Sequence, residues 1–551
     1  MCSFSRSLKN SKFIFRIVKI YQELEQYHSV ELLLENNLKK TNNPQYLVGL
    51  GYNYELQNKL ELSQDYYNQA ISRAENNPAL SYSIAIKFED YNLIDEAIHM
   101  YKFAIEKTQN SSYEYEYRLA NLYAQKKDVK NMFISYLNYA EFNSSYLNQT
   151  LQIIGEYIND DESSYYNLIL KKIVLRKLQN SQNIYWNKIL SWLYNKQKNY
   201  KKSLLQQKAI YKREQSSLQP IINIGLLSKK AKDYETTASA FNFIIEMSQE
   251  SSLILNAELQ LLSLDILLKN KENTKIQSEY LDLLNYYGLN DKTLDLQISY
   301  IDFLMFHVNK KQEAIDMIKN NLKKNFSIFS KAKLKLKLGD IYLGQEKFNL
   351  ALICYTQVSN EIESGILSQE ARFKVAKTSF YKGDFDWAES QLNILKSSTS
   401  KLIANDAMEL QLLITDHKNG DSLDLSLKLY SKADFYLFQN HKSEAFETLN
   451  QVIINYPNSG IVDQALVSQA KILKSENKYF EALQKFELVI NNHSTDILID
   501  DAYFEAAELC RLELNFPKKA MRYYEKIIFE FQDSIHFVDS TKHFRDLRND
   551  R

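Results

Sequence analysis

Glycine and proline are scarce, at 11 and 5 of 551 residues, about 2% and 1% where ordinary usage is ~7% and ~5%. The turns of β-hairpins draw heavily on both. Their scarcity therefore argues against an all-strand fold and for helices joined by short polar loops. The three cysteines, Cys2, Cys354 and Cys510, lie far apart, which excludes a disulfide framework and a CxxC zinc pair. They are expected to be small apolar side chains. Net charge is absent, with 68 Lys and Arg against 68 Asp and Glu. That balance gives no general pull towards nucleic acid or anionic lipid, so no nucleic-acid partner is expected. No stretch approaches the ~18 consecutive apolar residues of a membrane helix, and no membrane span is expected. At the N-terminus, FIFRIVKI is short and is interrupted by Arg16 and Lys19. With no small-residue cleavage site after it and no apolar segment before Cys2, neither a signal peptide nor a lipoprotein signal is expected. That reading makes the protein cytoplasmic, or periplasmic or outer-membrane-associated if the true start lies upstream.

What the chain does have is apolar material, at 45%, including 39 tyrosines and 28 phenylalanines. It is too long for one ordinary core, so several domains or a repeat array are expected. A phrase recurs in KFNLALICYTQV (347–358), YKGDFDWAESQLNIL (381–395), KYFEALQKFELV (478–489) and NFPKKAMRYYEKII (515–528). Aligned on Ala351, Ala388, Ala482 and Ala520, each copy places apolar residues four and seven positions later, on one helix face. Twelve residues before that position stands a small residue: Gly51 before Ser63, Ala85 before Ala97, Ala120 before Met132, Ser191 before Ser203, Gly225 before Thr237, Gly339 before Ala351. Each unit therefore reads as two crossing helices, with the small residues where the backbones come closest. Spacings are 34 to 35 residues near the N-terminus (63→97, 97→132, 203→237) and 37 to 38 later (314→351, 351→388, 445→482, 482→520).

Tandem helical pairs with this pattern resemble the tetratricopeptide repeat family, from about Lys12 to Phe531. The resemblance implies an all-α, right-handed α-solenoid of about twelve to fourteen helical pairs. Its usual early tryptophan is mostly missing, and residues 146–183 and 245–310 fit the pattern poorly. The segments expected are an N-terminal tail (1–10), an N-terminal array (11–145), a partly degenerate array (146–320) and a C-terminal array (321–551). Because Ala388 and Ala445 are 57 residues apart, an extra helix is expected near 401–416. The C-terminal units, including 454–472 and 529–548, resemble the longer bacterial repeats of Gram-negative envelope proteins. Examples are the lipoprotein of the outer-membrane β-barrel assembly machine and the periplasmic partner of Tol–Pal.

No enzyme is expected, because no P-loop, metal motif or nucleophile–base pair stands out. Asp533, His536, Asp539 and His543 recur at helical offsets, but the two histidines are two turns apart, ~10.5 Å. They are expected to be solvated side chains. The lone GxG of VGLGYN lacks the third glycine and the preceding strand of a dinucleotide site. Gly51 reads as a crossing residue, and no cofactor is expected. In KAKLKLKLGD (331–340) the register places Leu334, Leu338 and Tyr342 on one face and Lys333 with Lys337 on another, solvated one. The resemblance implies a concave groove lined by the first helices. Its register makes Tyr52, Tyr82, Tyr117, Phe373, Lys377, Phe380, Tyr381 and Tyr430 groove candidates. The expected function is a non-enzymatic scaffold that binds a partner protein or peptide in that groove. Phe373, Lys377 and Tyr381, at offsets of four and eight, suit a peptide with an apolar anchor beside an acidic residue.

Overall fold

The computed structural model describes residues 2–107, 112–181, 183–396, 401–418, 424–492 and 498–549. Among the described residues there are thirty α-helices, from Cys2–Glu23 to Phe537–Asn549, three short 3-10 turns and no strand. The chain divides into two compact units, residues 1–264 and 265–551. Repeat spacing does not mark that border. The first helix starts at Cys2, so the segment expected to be a tail begins in helix.

In the N-terminal unit, five clasped pairs carry the recurring phrase. They are Gln45–Glu55 with Leu60–Asn76, Ser81–Asp90 with Ile94–Lys107, Ser112–Gln125 with Val129–Phe142, Ile184–Lys196 with Tyr200–Glu214, and Gln219–Lys230 with Tyr234–Met247. Five more occupy the C-terminal unit: Ile328–Gly344 with Phe348–Glu361, Ile366–Lys382 with Phe385–Leu395, Leu425–Phe438 with Lys442–Asn455, Val462–Ser475 with Tyr479–Asn492, and Ile499–Leu512 with Pro517–Glu530. Within each unit successive pairs also pack on one another. The fold class is thus all-α, an α-solenoid of tandem helical pairs.

The crossings lie where the small residues are. Ala97, Ala351, Ala388, Ala445, Ala482 and Ala520 are wholly buried. A Cβ added at Gly51 or Gly339 would sit closer than 3.0 Å to the ring of Tyr67 or Tyr355 from the partner helix. Where hydroxyls replace alanine they pair across the crossing: Ser191 Oγ with Ser203 Oγ at 2.8 Å, and Ser228 Oγ with Thr237 Oγ1 at 2.9 Å. Burying a hydroxyl without a partner would cost ~1–3 kcal/mol. The tyrosine four positions after the small residue fills the gap with its ring and donates its hydroxyl to the first helix. Tyr67 donates to Glu55 (2.7 Å), Tyr101 to Glu89 (2.6 Å), Tyr136 to Asn121 (2.7 Å) and Tyr355 to Asp340 (2.7 Å).

A second periodic device sits five residues before each small residue, where the chain turns between the two helices. Asn58, Asn92, Lys127, Lys198, Lys232, Asn309, Glu346, Gly383, Asn440, Asn477 and Asn515 all adopt positive φ, between 53° and 80°. The left-handed residue closes the first helix by letting a following amide reach back to an orphan carbonyl. Examples are Leu93 N–H to Phe88 O at 2.9 Å and Asp384 N–H to Ser379 O at 2.9 Å. Asn tolerates this conformation and Gly adopts it freely.

The two poorly fitting stretches pack differently. Helices Leu147–Gly155 and Tyr165–Asn180 do not clasp each other; Leu151, Ile154, Leu170 and Val174 each enter the core of the N-terminal unit. Further on, Tyr280 of helix Asn273–Tyr287 lies 5.4 Å from Tyr300 and 5.5 Å from Phe303, both in helix Leu294–Phe306. The 57-residue gap holds one additional helix, Lys401–His417. Ser251–Leu268 has 18 residues of mean hydropathy 1.4, long and apolar enough to cross a membrane by length and composition. Asn256, Glu258, Gln260 and Asp265 interrupt its leucines, so no unbroken apolar run flags it. Its Ala257, Leu253 and Leu261 pack on the cluster around Phe241 and Ile244.

Candidate functional site

Helix Ile366–Lys382 builds the candidate groove. It begins after Gly365 (φ 105°) and ends at Gly383 (φ 80°), both in conformations that favour glycine. Its mid-helix hydroxyls bond back to their own helix, Thr378 to Lys374 O at 2.7 Å and Ser379 to Val375 O at 2.9 Å. No polar demand is therefore left to the neighbours. Ile366, Glu370, Phe373, Lys374, Lys377 and Tyr381 form one stripe and line a cavity of about 490 Å³. Asp340 and Leu343 come from the preceding first helix, Leu402, Ile403 and Asp406 from the extra helix, and Phe438 from helix Leu425–Phe438.

The floor is aromatic. The Tyr381 ring lies 5.2 Å from Phe435 and 6.0 Å from Phe438. Phe373 is half-buried against the core cluster of Phe380 and Ala388. Ile366, Leu402 and Phe438 form a rim that stays open, at 65%, 72% and 41% exposure. Both lysines are already engaged. Lys377 Nζ pairs with Asp434 at 2.6 Å and lies 5.4 Å from the Tyr381 ring centroid. Lys374 Nζ pairs with Asp340 at 2.8 Å, and Asp340 also accepts from the Tyr355 hydroxyl. Burial, then the nearby Asp434 and Tyr430, pushes the Tyr381 hydroxyl well above its usual pKa. Burial and Asp340 do the same to Tyr355. Both therefore stay protonated, as donors. Glu370 lies 3.9 Å from Lys374, while Asp406 is exposed and has no ion pair among the described residues.

The structure brings together three of the sequence-derived residues, Phe373, Lys377 and Tyr381, and separates the others. Tyr52 belongs to the N-terminal unit and stacks on Tyr91 at 4.3 Å. Tyr82 donates to Glu114 and packs at 4.7 Å on Tyr115. Tyr117 packs on Tyr136 and Tyr139 at 6.1 and 5.2 Å. Tyr82 and Tyr117 thus pack on the N-terminal core and stay partly exposed. Tyr430 reaches Ser468 at 3.2 Å. Phe380 is corrected outright: it is wholly buried, 5.7 Å from Phe385, because its side of the helix turns under the second helix of its own pair. Lys377 is not the free cation expected, and Lys337 likewise pairs with Asp302 at 2.6 Å. His536 pairs with Asp501 at 2.7 Å and His543 with Glu508 at 3.1 Å. Sequence reasoning missed Leu402, Ile403 and Asp406, which stand outside the repeat register. It missed Phe438 although that residue lies two helical turns beyond Tyr430 on the same face.

The fold and this groove define a class, the helical-repeat solenoid with an apolar concave cavity. No family model matches the chain, and no curated protein matches it. Among solved structures, the chain is similar to Naa15/Naa10 bound to HypK-THB at 12% identity and a TM-score of 0.29, over 98% of this chain and 96% of that one. It is also similar to yeast Tom70 at 12% identity and a TM-score of 0.32, over 91% of this chain and 99% of that one. Likenesses at this level carry no argument about what the chain does.

Proposed function

We propose that the protein is a non-enzymatic interaction scaffold that seats a partner peptide or helix in the groove of its C-terminal unit. The observation that supports this reading is the open apolar rim of Ile366, Leu402 and Phe438 around a floor of Phe373 and Tyr381. Solvent-exposed apolar side chains grouped at a concavity mark a docking place. Ion pairing revises the partner's chemistry. With Lys374 and Lys377 held by Asp340 and Asp434, an acidic residue beside the anchor gains nothing. Glu370 and Asp406 favour an apolar anchor beside a lysine or arginine.

A photo-crosslinking residue placed at Leu402 in the native cell identifies the partner. Leu402→Asp with Ile366→Asp should then weaken its binding at least ~10-fold, about 1.4 kcal/mol, without moving the melting midpoint, since both side chains are exposed. Unchanged partner binding by that variant rejects the groove. A second reading, a structural part of a cell-envelope assembly, is supported by the likeness of 454–472 and 529–548 to envelope repeats. Cell fractionation with mapping of the mature N-terminus separates the two.

A further inference from the structure

The N-terminal unit holds a larger cavity, about 850 Å³, between helix Cys2–Glu23 and the first helices Gln45–Glu55 and Ser81–Asp90. Its floor is aromatic. Tyr52 stacks on Tyr91, and the Lys87 ammonium lies 3.7 Å above the Phe15 ring centroid. Lys87 is buried and pairs with Asp90 at 2.7 Å. Lys12, Arg16 and Lys19 line the opposite wall, exposed and without an ion pair among the described residues. At offsets of four and seven they share one helix face. Four cations thus line the cavity against two acids, Glu23 and Asp90, in a chain whose charges otherwise balance at 68 to 68. A separate observation points the same way. Gln22 lines the cavity, is only 9% exposed, and its amide Nε2 has no hydrogen-bond partner among the described residues. A buried unpaired donor is a standing cost unless something outside the chain accepts from it.

We infer that this cavity binds an extended acidic peptide, with carboxylates on the Lys12–Arg16–Lys19 wall and an apolar residue on the Tyr52–Tyr91 floor. Along the helix axis the three cations rise ~6 and ~4.5 Å apart, and their long side chains reach the ~6.6 Å spacing of alternate side chains on an extended strand. A compact anion such as a phosphate is held by convergent donors, usually backbone amides at a helix start. Here the wall is the side of a helix. The site is independent of the C-terminal groove, uses other residues and favours the opposite charge.

The test uses the full chain and a short dye-labelled peptide of alternating aspartate and leucine, read by fluorescence anisotropy at low salt. Its asparagine–leucine counterpart and inorganic pyrophosphate serve as comparison arms. The acidic peptide is expected to bind at least ~10-fold more tightly than the neutral one and to weaken with added salt. Arg16→Glu with Lys19→Glu should abolish that preference. Gln22→Leu should lower affinity while the melting temperature holds or rises, a combination that a purely structural glutamine would not give. Absence of acidic-peptide binding, equal binding of the two peptides, or indifference to Arg16→Glu with Lys19→Glu overturns the inference. So does displacement by pyrophosphate at concentrations below those of the peptide.

Discussion

Two glycines in one helix should respond to the same substitution with opposite signs. Gly339 and Gly344 both lie in Ile328–Gly344, and neither has positive φ. On helix propensity alone, alanine at either should gain up to ~1 kcal/mol. At Gly344 nothing lies within 4 Å of the added Cβ, and because the residue ends the helix a gain of ~0.5 kcal/mol is expected. At Gly339 the Cβ meets three atoms of the Tyr355 ring closer than 3.0 Å. That ring is wholly buried and its hydroxyl is held 2.7 Å from Asp340, which Lys374 grips in turn at 2.8 Å. With no room to swing away, the overlap costs up to ~3 kcal/mol, leaving a net loss of up to about 2 kcal/mol after the propensity gain. Global unfolding of a repeat array is not reliably two-state, so local opening is the better measure. Hydrogen exchange of peptides covering 328–361 should accelerate by up to about 30-fold in Gly339→Ala and slow slightly in Gly344→Ala. Tyr355→Leu in the same background should relieve much of the penalty. If the two alanines act with the same sign, the helices do not cross at Gly339 and the repeat register is wrong.

Two further effects follow from the turns and the charges. Glu346 and Gly383 occupy equivalent turns at φ 61° and 80°; Glu346→Gly should stabilise and Gly383→Ala destabilise, each by ~1 kcal/mol, and opposite shifts in urea midpoint would confirm it while parallel shifts would refute it. Glu487 pays for burial, which raises its pKa, but Lys519 at 2.7 Å and the Tyr523 hydroxyl at 2.6 Å outweigh that and hold it below the ordinary value. Its contribution is therefore present above pH ~4.3 and lost as pH falls through the lowered folded value. Glu487→Gln should flatten the acid limb of a melting-temperature profile, and superimposed limbs would refute this.

Much of the repeat architecture is written locally. A small residue, an aromatic four positions on and another small residue twelve positions back all lie within one helical hairpin. Their helical periodicity therefore places Gly51 against Tyr67, Gly339 against Tyr355 and Ala388 in its crossing. The left-handed turn five residues before each small residue was there to be read as well, but only the recurrent asparagine hints at it, since lysine and glutamate fill the same place. Phe373, Lys377 and Tyr381 share a face for the same local reason, and they do line one cavity. Only the tertiary structure decided what else meets them. Lys377 finds Asp434 57 residues away because an extra helix intervenes. That helix supplies Leu402 and Asp406 from outside any repeat, and packing turns Phe380 inward while its neighbour Tyr381 faces the groove. The division at Leu264–Asp265 is equally silent in the repeat spacing. Periodicity sets which side of a helix a residue occupies; which helix comes to lie on that side depends on packing across pairs, where the deciding contacts are distant in sequence.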